Sequence, residues 1–217
     1  SVVDLYPGVQ LHNRYQGNLA DLCPVGALTD RHFRFQTRVW YLEHAKSICP
    51  GCSRGCNIIV DYNTRREYKA GGRRVVRLRP RPNPKVNKYW MCDDGRYGFS
   101  WVDGLDRILA PRRLVDGEPQ ELLWSDAVQL AGEWIRDAAQ RGRLAVMLSP
   151  KMSNEELFAA SQLFRQMSVE DVGFWAEPAE PGYEDDILIR ADKNPNTYGA
   201  KLILRRRVEG ETKDDLE

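Results

Sequence analysis

The sequence predicts an α+β protein made of a small β-rich domain followed by a partial α/β domain. The first observation is a set of short apolar and polar alternations in the first half of the chain, which are typical of strands. The second is a change to helical periodicity after about residue 111. The third is a group of cysteines that lies among the predicted strands.

Three runs predict the strands of the first domain. The stretch "HFRFQTRVWYL" at 32–42 alternates apolar or β-branched side chains with Arg and Gln, as a half-buried strand does. "NIIVDY" at 57–62 and "RRVVRLR" at 73–79 are the other two, with a turn-rich segment between them. We expect a hairpin or small sheet that carries the cysteine loop.

The second half predicts alternating helices and strands. Ser125 is expected to cap a first helix, and Ser153 with Glu156 forms a capping-box sequence ahead of a second. The buried strands expected after these two helices cover 144–148 and 172–175. A helix–strand–helix–strand order indicates an open α/β domain.

Composition excludes several classes of protein. The 217 residues are 42% hydrophobic and 29% charged, as in an ordered globular protein, and the formal net charge of +1 gives no reason to expect a nucleic-acid partner. No apolar run approaches the roughly 20 residues of a membrane-spanning helix. We therefore expect a soluble protein that is not exported, and the opening "SVVD" reads like part of a longer chain.

The five cysteines are an odd number, which disfavours a disulfide framework. Cys49, Cys52 and Cys56 have the spacing C-x2-C-x3-C, and Cys92 follows much later in the chain. Three thiolates from one loop and a fourth from a distant segment suit a cubane [4Fe–4S] cluster. A structural zinc ion, which usually takes two close pairs of ligands, is the main rival, and disulfides or unbound thiols are the third interpretation.

The fifth cysteine, Cys23, precedes Pro24 and has no companion thiols upstream in this chain. A Cys-Pro pair can close a ferredoxin-like run and ligate a cluster whose other ligands lie elsewhere. Cys23 is therefore either an ordinary buried thiol or a ligand that depends on partners outside this chain.

Two stretches resemble the large iron–sulfur subunit, called G in bacteria, of respiratory complex I, the NADH:quinone oxidoreductase. They are "GNLADLCPVGALTDRHFRFQTRVWYLEHAKSICPGCSRGCNI" and "VNKYWMCDDGRYGF". The resemblance covers residues 1 to about 110. A less sharp likeness in "LSPKMSNEEL" and "DDILIRADKNPNT" suggests the start of a molybdopterin-oxidoreductase-like α/β domain.

The resemblance implies a role for each cysteine. Cys49, Cys52, Cys56 and Cys92 match one complete [4Fe–4S] site, and Cys23 matches the last ligand of a second [4Fe–4S] cluster. The implied organisation follows the chain in four parts: the C-terminal end of a ferredoxin-like cluster region at 1–30, the [4Fe–4S] domain at 31–110, the partial α/β domain at 111–204 and a charged tail at 205–217.

Molybdopterin enzymes such as formate dehydrogenases share the cysteine pattern, so the front part of such an enzyme is an alternative. They typically place a lysine shortly after the fourth cysteine. This chain has Asp93 and Asp94 there, which resembles the complex I version. The chain beyond these residues is also shorter than the pterin-binding domains require.

The expected function is that of an iron–sulfur electron-transfer subunit in a multi-subunit NADH- or hydrogen-linked oxidoreductase. A structural adaptor, whose cluster only holds the fold together, is the alternative within the same kind of complex. We expect no catalysis by the chain alone, other respiratory or hydrogenase-type subunits as partners, and no nucleic acid. Membrane contact is expected only through those partners, at the inner face of the cytoplasmic membrane. Three arginines are expected near the cluster: Arg54, Arg73 and Arg74.

Overall fold

The computed structural model describes residues 5–65, 67–169 and 171–204. The α-helices are α1 (Asn18–Leu22), α2 (Asp93–Tyr97), α3 (Trp124–Gln140), α4 (Asn154–Gln166) and α5 (Thr197–Leu204). The strands are β1 (Glu43–Ile48), β2 (Asn57–Tyr62), β3 (Val75–Pro80), β4 (Arg112–Val115), β5 (Glu118–Glu121), β6 (Val146–Leu148) and β7 (Val172–Phe174). The charged tail predicted at 205–217 lies outside the described residues.

The chain divides into two compact units, and each unit combines two separate stretches of the sequence. The first unit runs to Gly104 and also includes Pro178–Pro195, which we call the covering segment. The second unit contains Leu105–Glu177 and, of the described residues that follow the covering segment, those from Asn196 to Leu204. The polypeptide therefore returns to the first unit after it has built most of the second.

The first unit contains a three-stranded antiparallel sheet in the order β1-β2-β3. Ile48 pairs with Asn57 where β1 meets β2, so the cysteine loop connects two neighbouring strands. The predicted strands at 57–62 and 73–79 are confirmed by β2 and β3. Inward-facing Ile58, Val76 and Leu78 supply apolar side chains to the core of this unit.

The strand predicted at 32–42 is wrong. These residues form turns and a short 3-10 helix at Val39–Tyr41, and the edge strand is β1 instead. Phe35 has a φ of 65° and is 91% exposed, so it neither continues an extended backbone nor faces a core. Phe33 packs on a small cluster around Leu42, which explains why a turn region carries an apolar residue at this position.

The second unit contains the antiparallel pair β4 and β5 and the parallel pair β6 and β7. The capping box at Ser153 and Glu156 is confirmed, with both reciprocal hydrogen bonds present at the start of α4. The cap predicted at Ser125 is wrong, because α3 begins at Trp124 and Leu123 occupies the capping position. The Ser125 hydroxyl donates to the Asp126 side chain instead.

A buried carboxylate fixes the polar side of the β1-β2-β3 sheet. Asp61 is fully buried and accepts two hydrogen bonds from Arg79, at 2.8 and 2.9 Å, and one from Arg77. The His44 ring nitrogen Nδ1 also contacts the Asp61 carboxylate. Burial opposes its ionisation, but the bonds from Arg79 and Arg77 outweigh that effect and hold the pKa of Asp61 below its usual value of 3.8. Its stabilising effect is present at neutral pH and is lost as the pH falls through this lowered pKa.

We expect Asp61→Asn to lower the free energy of unfolding by about 2 to 4 kcal/mol, because it leaves two partly buried guanidinium groups without their counter-charge. Asp137→Asn is the matched control. Asp137 makes an exposed ion pair with Arg141, and its loss is expected to cost less than about 0.5 kcal/mol. Urea unfolding of both variants measures the difference, and equal stabilities would contradict a structural role for the Asp61 network.

Candidate metal centre

Four of the five cysteines come together in the first unit. Cys49, Cys52 and Cys56 lie in the loop between β1 and β2, and Cys92 precedes α2. All four are buried and line one cavity. The fold therefore brings Cys92 to the same cavity as the other three cysteines, although it lies far from them in the sequence.

The loop that carries three of the thiols is closed by its own backbone. The Cys49 N–H donates to the Cys56 carbonyl at 2.8 Å, and the Gly55 N–H donates to the Cys52 carbonyl at 3.3 Å. Gly55 has a φ of 62°, which a residue with a Cβ adopts only at a cost. This tight turn brings the three thiols to the same cavity.

The fourth thiol is placed by the start of α2. The Gly95 N–H points at the Cys92 sulfur at 3.5 Å, so Cys92 acts as the N-cap of this short helix. A Cβ on Gly95 would lie 2.7 Å from the Cys49 sulfur and 3.6 Å from that of Cys92. Glycine at this position therefore keeps the backbone of α2 close to two of the sulfurs.

The covering segment supplies the apolar wall of the cavity. Leu188 and Ile189 are almost completely buried and line it. The Ser53 N–H in the cysteine loop donates to the Asp192 carbonyl at 2.8 Å, which joins the two segments directly. Tyr15 also holds the covering segment, since its hydroxyl donates to Asp185 at 2.6 Å.

Residues 14–18 join the start of the chain to the segment that carries Cys92. The Asn18 side chain is buried and exchanges two hydrogen bonds with the backbone of Met91, at 2.8 and 3.1 Å. The Asp93 N–H donates to the Arg14 carbonyl at 2.7 Å. Arg96 is buried and contacts Asp21 at 2.6 Å. These contacts fix the position of α2 against α1.

The surroundings of the thiols disfavour free thiolates. Burial, reinforced by neighbouring thiols, raises the pKa of Cys49 to about 11 and that of Cys56 to about 12. Burial also raises the pKa of Cys92. A metal centre in this cavity must therefore supply positive charge to hold the sulfurs as thiolates, and its binding releases protons.

The four cysteines form a purely sulfur donor set. Within the described ranges, no three or more His, Cys, Asp or Glu side chains lie in an arrangement that could hold a single metal ion. A zinc site would bring its thiolates to about 2.3 Å from one point. Iron–sulfur clusters take four thiolates around a larger core, and the chemistry of this donor set suits such a cluster.

The structure places Cys23 outside this cavity, in the turn that follows α1. Its sulfur accepts a hydrogen bond from the Leu28 N–H at 3.4 Å. That bond, helped by the N–H groups of Val25, Ala27 and Gly26, lowers the pKa of Cys23 despite some desolvation. A ring of N–H groups around a sulfur favours the thiolate form that a metal requires.

The three arginines expected near the cluster have different partners. The charge of Arg54 acts on Cys56, and its guanidinium donates to the Val86 carbonyl at 2.8 Å. Arg73 donates to the Gln36 side chain, whereas Arg74 donates to Asp103 at 2.8 Å. Of the three, Arg54 is the one whose charge acts on a cavity cysteine, where it partly offsets the raised pKa of Cys56.

Sequence reasoning missed five residues that line the cavity: Met91, Gly95, Leu188, Ile189 and Lys193. Gly95 had a usable signal, because it follows Cys92 by three residues where a helix N-terminus can approach a ligand. Leu188, Ile189 and Lys193 had none, because nothing local in the covering segment marks its return to the first unit.

Comparison with known proteins finds one matching domain family and several relatives. Residues 42–104 match the molybdopterin oxidoreductase Fe4S4 domain, and all four cavity cysteines fall in this range. The G subunit of the NADH-quinone oxidoreductase of Streptomyces coelicolor is 33% identical over 78% of this chain and 19% of its own length. Subunit 3 of the Thermus thermophilus NADH-quinone oxidoreductase is 33% identical over 79% of this chain and 21% of its own. The G subunit of the Mycobacterium bovis enzyme is 31% identical over 87% and 23%.

The chain spans about a fifth of the length of these curated relatives. None of the described helices has both the length and the apolar character that crossing a bilayer requires. The resemblance that the cysteine motifs indicated is confirmed: this chain is a relative of the G subunit of NADH-quinone oxidoreductase and carries the molybdopterin oxidoreductase Fe4S4 domain.

Proposed function

We propose that the chain binds one complete [4Fe–4S] cluster through Cys49, Cys52, Cys56 and Cys92. The observation that carries this proposal is that all four thiols are buried and line one cavity within the residues that match the Fe4S4 domain. The donor set is purely thiol, which iron–sulfur clusters take. When bound, such a cluster accepts and donates single electrons.

The protein's own residues do three things for this cluster. The loop between β1 and β2 presents three ligands, and the start of α2 presents the fourth. Met91, Leu188 and Ile189 exclude water, which keeps the site in a low dielectric. The Gly95 N–H offers a hydrogen bond to the Cys92 sulfur, and such bonds raise the reduction potential of a cluster.

The second part of the proposal concerns the larger assembly. The relatives are named as subunits of NADH-quinone oxidoreductase. We propose that this chain is an electron-transfer part of a multi-subunit NADH- or hydrogen-linked oxidoreductase and has no catalytic activity alone. Its partners are other subunits of that complex, and it reaches the inner face of the cytoplasmic membrane through them.

The rest of the chain fits this proposal as follows. Residues 1–30 are the end of a ferredoxin-like region in which Cys23 ligates a second [4Fe–4S] cluster, with the other ligands outside this chain. The N–H groups around the Cys23 sulfur support that role. Residues 31–110 form the cluster domain. Residues 111–204, apart from the covering segment, which belongs to the first unit, begin a molybdopterin-oxidoreductase-like α/β domain. The parallel pair β6 and β7, with α4 between them in sequence, supports this part of the proposal.

A structural adaptor is the second candidate function. Cys49 and Cys56 are part of the same hydrophobic core as Ile58, Leu78 and Met91. An iron–sulfur cluster bound by these cysteines would cross-link this core whether or not the iron changes oxidation state. This arrangement favours a contribution to folding in addition to electron transfer.

The ligand assignment predicts which cysteine the iron needs. After anaerobic reconstitution of the full chain, Cys92→Ser is expected to lose most of its iron and acid-labile sulfide. Cys23→Ser is the matched control and is expected to keep the iron content of the unchanged chain, because Cys23 lies outside the cavity. Equal iron in the Cys92 variant and the unchanged chain would refute the assignment.

The close approach of α2 to the sulfurs predicts that Gly95→Ala weakens the cluster. The added methyl would overlap the Cys49 sulfur, so we expect iron loss to a chelator to be at least about tenfold faster, equivalent to about 1.4 kcal/mol. Gly132→Ala in α3 is the control, because its Cβ would meet nothing closer than 3.8 Å. If the Gly95 variant and the control lose iron at the same rate, the close approach of α2 to the Cys49 sulfur is not needed for the cluster.

A reductive titration followed by electron paramagnetic resonance separates the two candidate functions. An electron carrier is expected to show a one-electron signal that appears within the range of NADH-linked donors. A cluster that stays oxidised throughout that range, although iron and sulfide are present, would support the adaptor role and would overturn electron transfer through this site.

A further inference from the structure

Two side chains of opposite charge line the cysteine cavity in addition to the thiols. Asp94 is on α2, two residues after Cys92, and Lys193 is near the end of the covering segment. The remaining lining residues are thiols, glycines and apolar side chains. Asp94 and Lys193 are therefore the two charged side chains among the residues that line this cavity.

The Asp94 carboxylate is held in place by two donors. Its Oδ2 accepts hydrogen bonds from the Arg14 guanidinium and from the Tyr183 hydroxyl, each at 2.8 Å. These two donors hold the carboxylate at a defined position beside the cavity.

Lys193 is oriented by the same tyrosine. Its Nζ lies 3.0 Å from the centre of the Tyr183 ring, and the Arg14 guanidinium lies 3.9 Å from that centre. The backbone next to Lys193 is also fixed, because the Asp192 carbonyl accepts the Ser53 N–H of the cysteine loop. The long lysine side chain therefore has a defined direction at the cavity.

We propose that the charges of Lys193 and Asp94 set the reduction potential of the cluster held by the four cysteines. This inference rests on the proposed function. Reduction adds a negative charge to the cluster, and a nearby cation stabilises the reduced form while a nearby anion destabilises it. Leu188 and Ile189 are buried and limit screening on the cavity side. The Asp94 side chain is 45% exposed and paired with Arg14, so its effect on the potential is expected to be the more strongly screened of the two.

Lys193 reaches the cavity through a segment that enters the first unit only after most of the second unit has been built. The redox property of the cluster therefore depends on a part of the chain that the four-cysteine motif does not include.

The test is a redox titration of the full chain, reconstituted and followed by electron paramagnetic resonance. Lys193→Gln removes the cation, Lys193→Arg keeps it, and Asp94→Asn removes the anion. Lys69→Gln is the matched control, because Lys69 also lies over tyrosine rings (5.4 Å from the centre of Tyr68) but lines a different cavity. Iron and sulfide analysis of each variant establishes that the cluster is intact.

We expect the midpoint potential to fall in Lys193→Gln, to rise in Asp94→Asn and to stay unchanged in Lys193→Arg and Lys69→Gln. An unchanged potential in a fully loaded Lys193→Gln chain would overturn the proposal. Equal shifts in the Gln and Arg variants would also overturn it, since packing alone would then be responsible. If Lys193→Gln does not retain its cluster, Asp94→Asn decides, and a fall or no change in its potential refutes the proposal. Failure of the unchanged chain to bind any cluster would instead refute the proposed function.

Discussion

The structure of the first unit depends on one constraint: four thiols from two remote parts of the chain must line a single small cavity. A closed loop between adjacent antiparallel strands presents three of them, and the start of a short helix presents the fourth. Gly95 lets that helix approach, because any larger side chain would overlap the Cys49 sulfur. The antiparallel sheet provides the fixed frame from which the loop projects.

Under the proposed function, metal binding and folding are parts of the same equilibrium. Buried thiols in an apolar environment resist ionisation, and burial raises the pKa of Cys49 and Cys56. These cysteines would hold an iron core as thiolates only because its positive charge would offset that preference. Since Cys49 and Cys56 form part of the hydrophobic core, the energy of cluster binding would also stabilise the first unit.

The covering segment is part of the first unit, although it lies far from the sheet and the cysteines in the sequence. It contributes the apolar wall through Leu188 and Ile189 and the cation through Lys193, and Asp185 attaches it to Tyr15. Asp61 serves the opposite side of the sheet, where it gathers two arginines and a histidine around one buried carboxylate. Both are non-local arrangements that combine residues from different segments.

Elements with local sequence signals could be predicted. The spacing of Cys49, Cys52 and Cys56 indicated a loop of closely placed thiols, the alternation of side chains predicted two strands, and the capping box at Ser153 marked the start of α4. The strand predicted at 32–42 failed because alternation of apolar and polar residues also occurs in a turn region that packs one side chain. The cysteine pattern and the family resemblance also predicted that Cys92 joins the other three, whereas nothing in the sequence predicted that the covering segment lines the same cavity. The position of that segment depends on hydrogen bonds between distant parts of the chain, such as Ser53 with Asp192. Periodicity and motif spacing report what neighbouring residues prefer. They carry no information on which remote surfaces meet, because that outcome is set by packing of the whole unit.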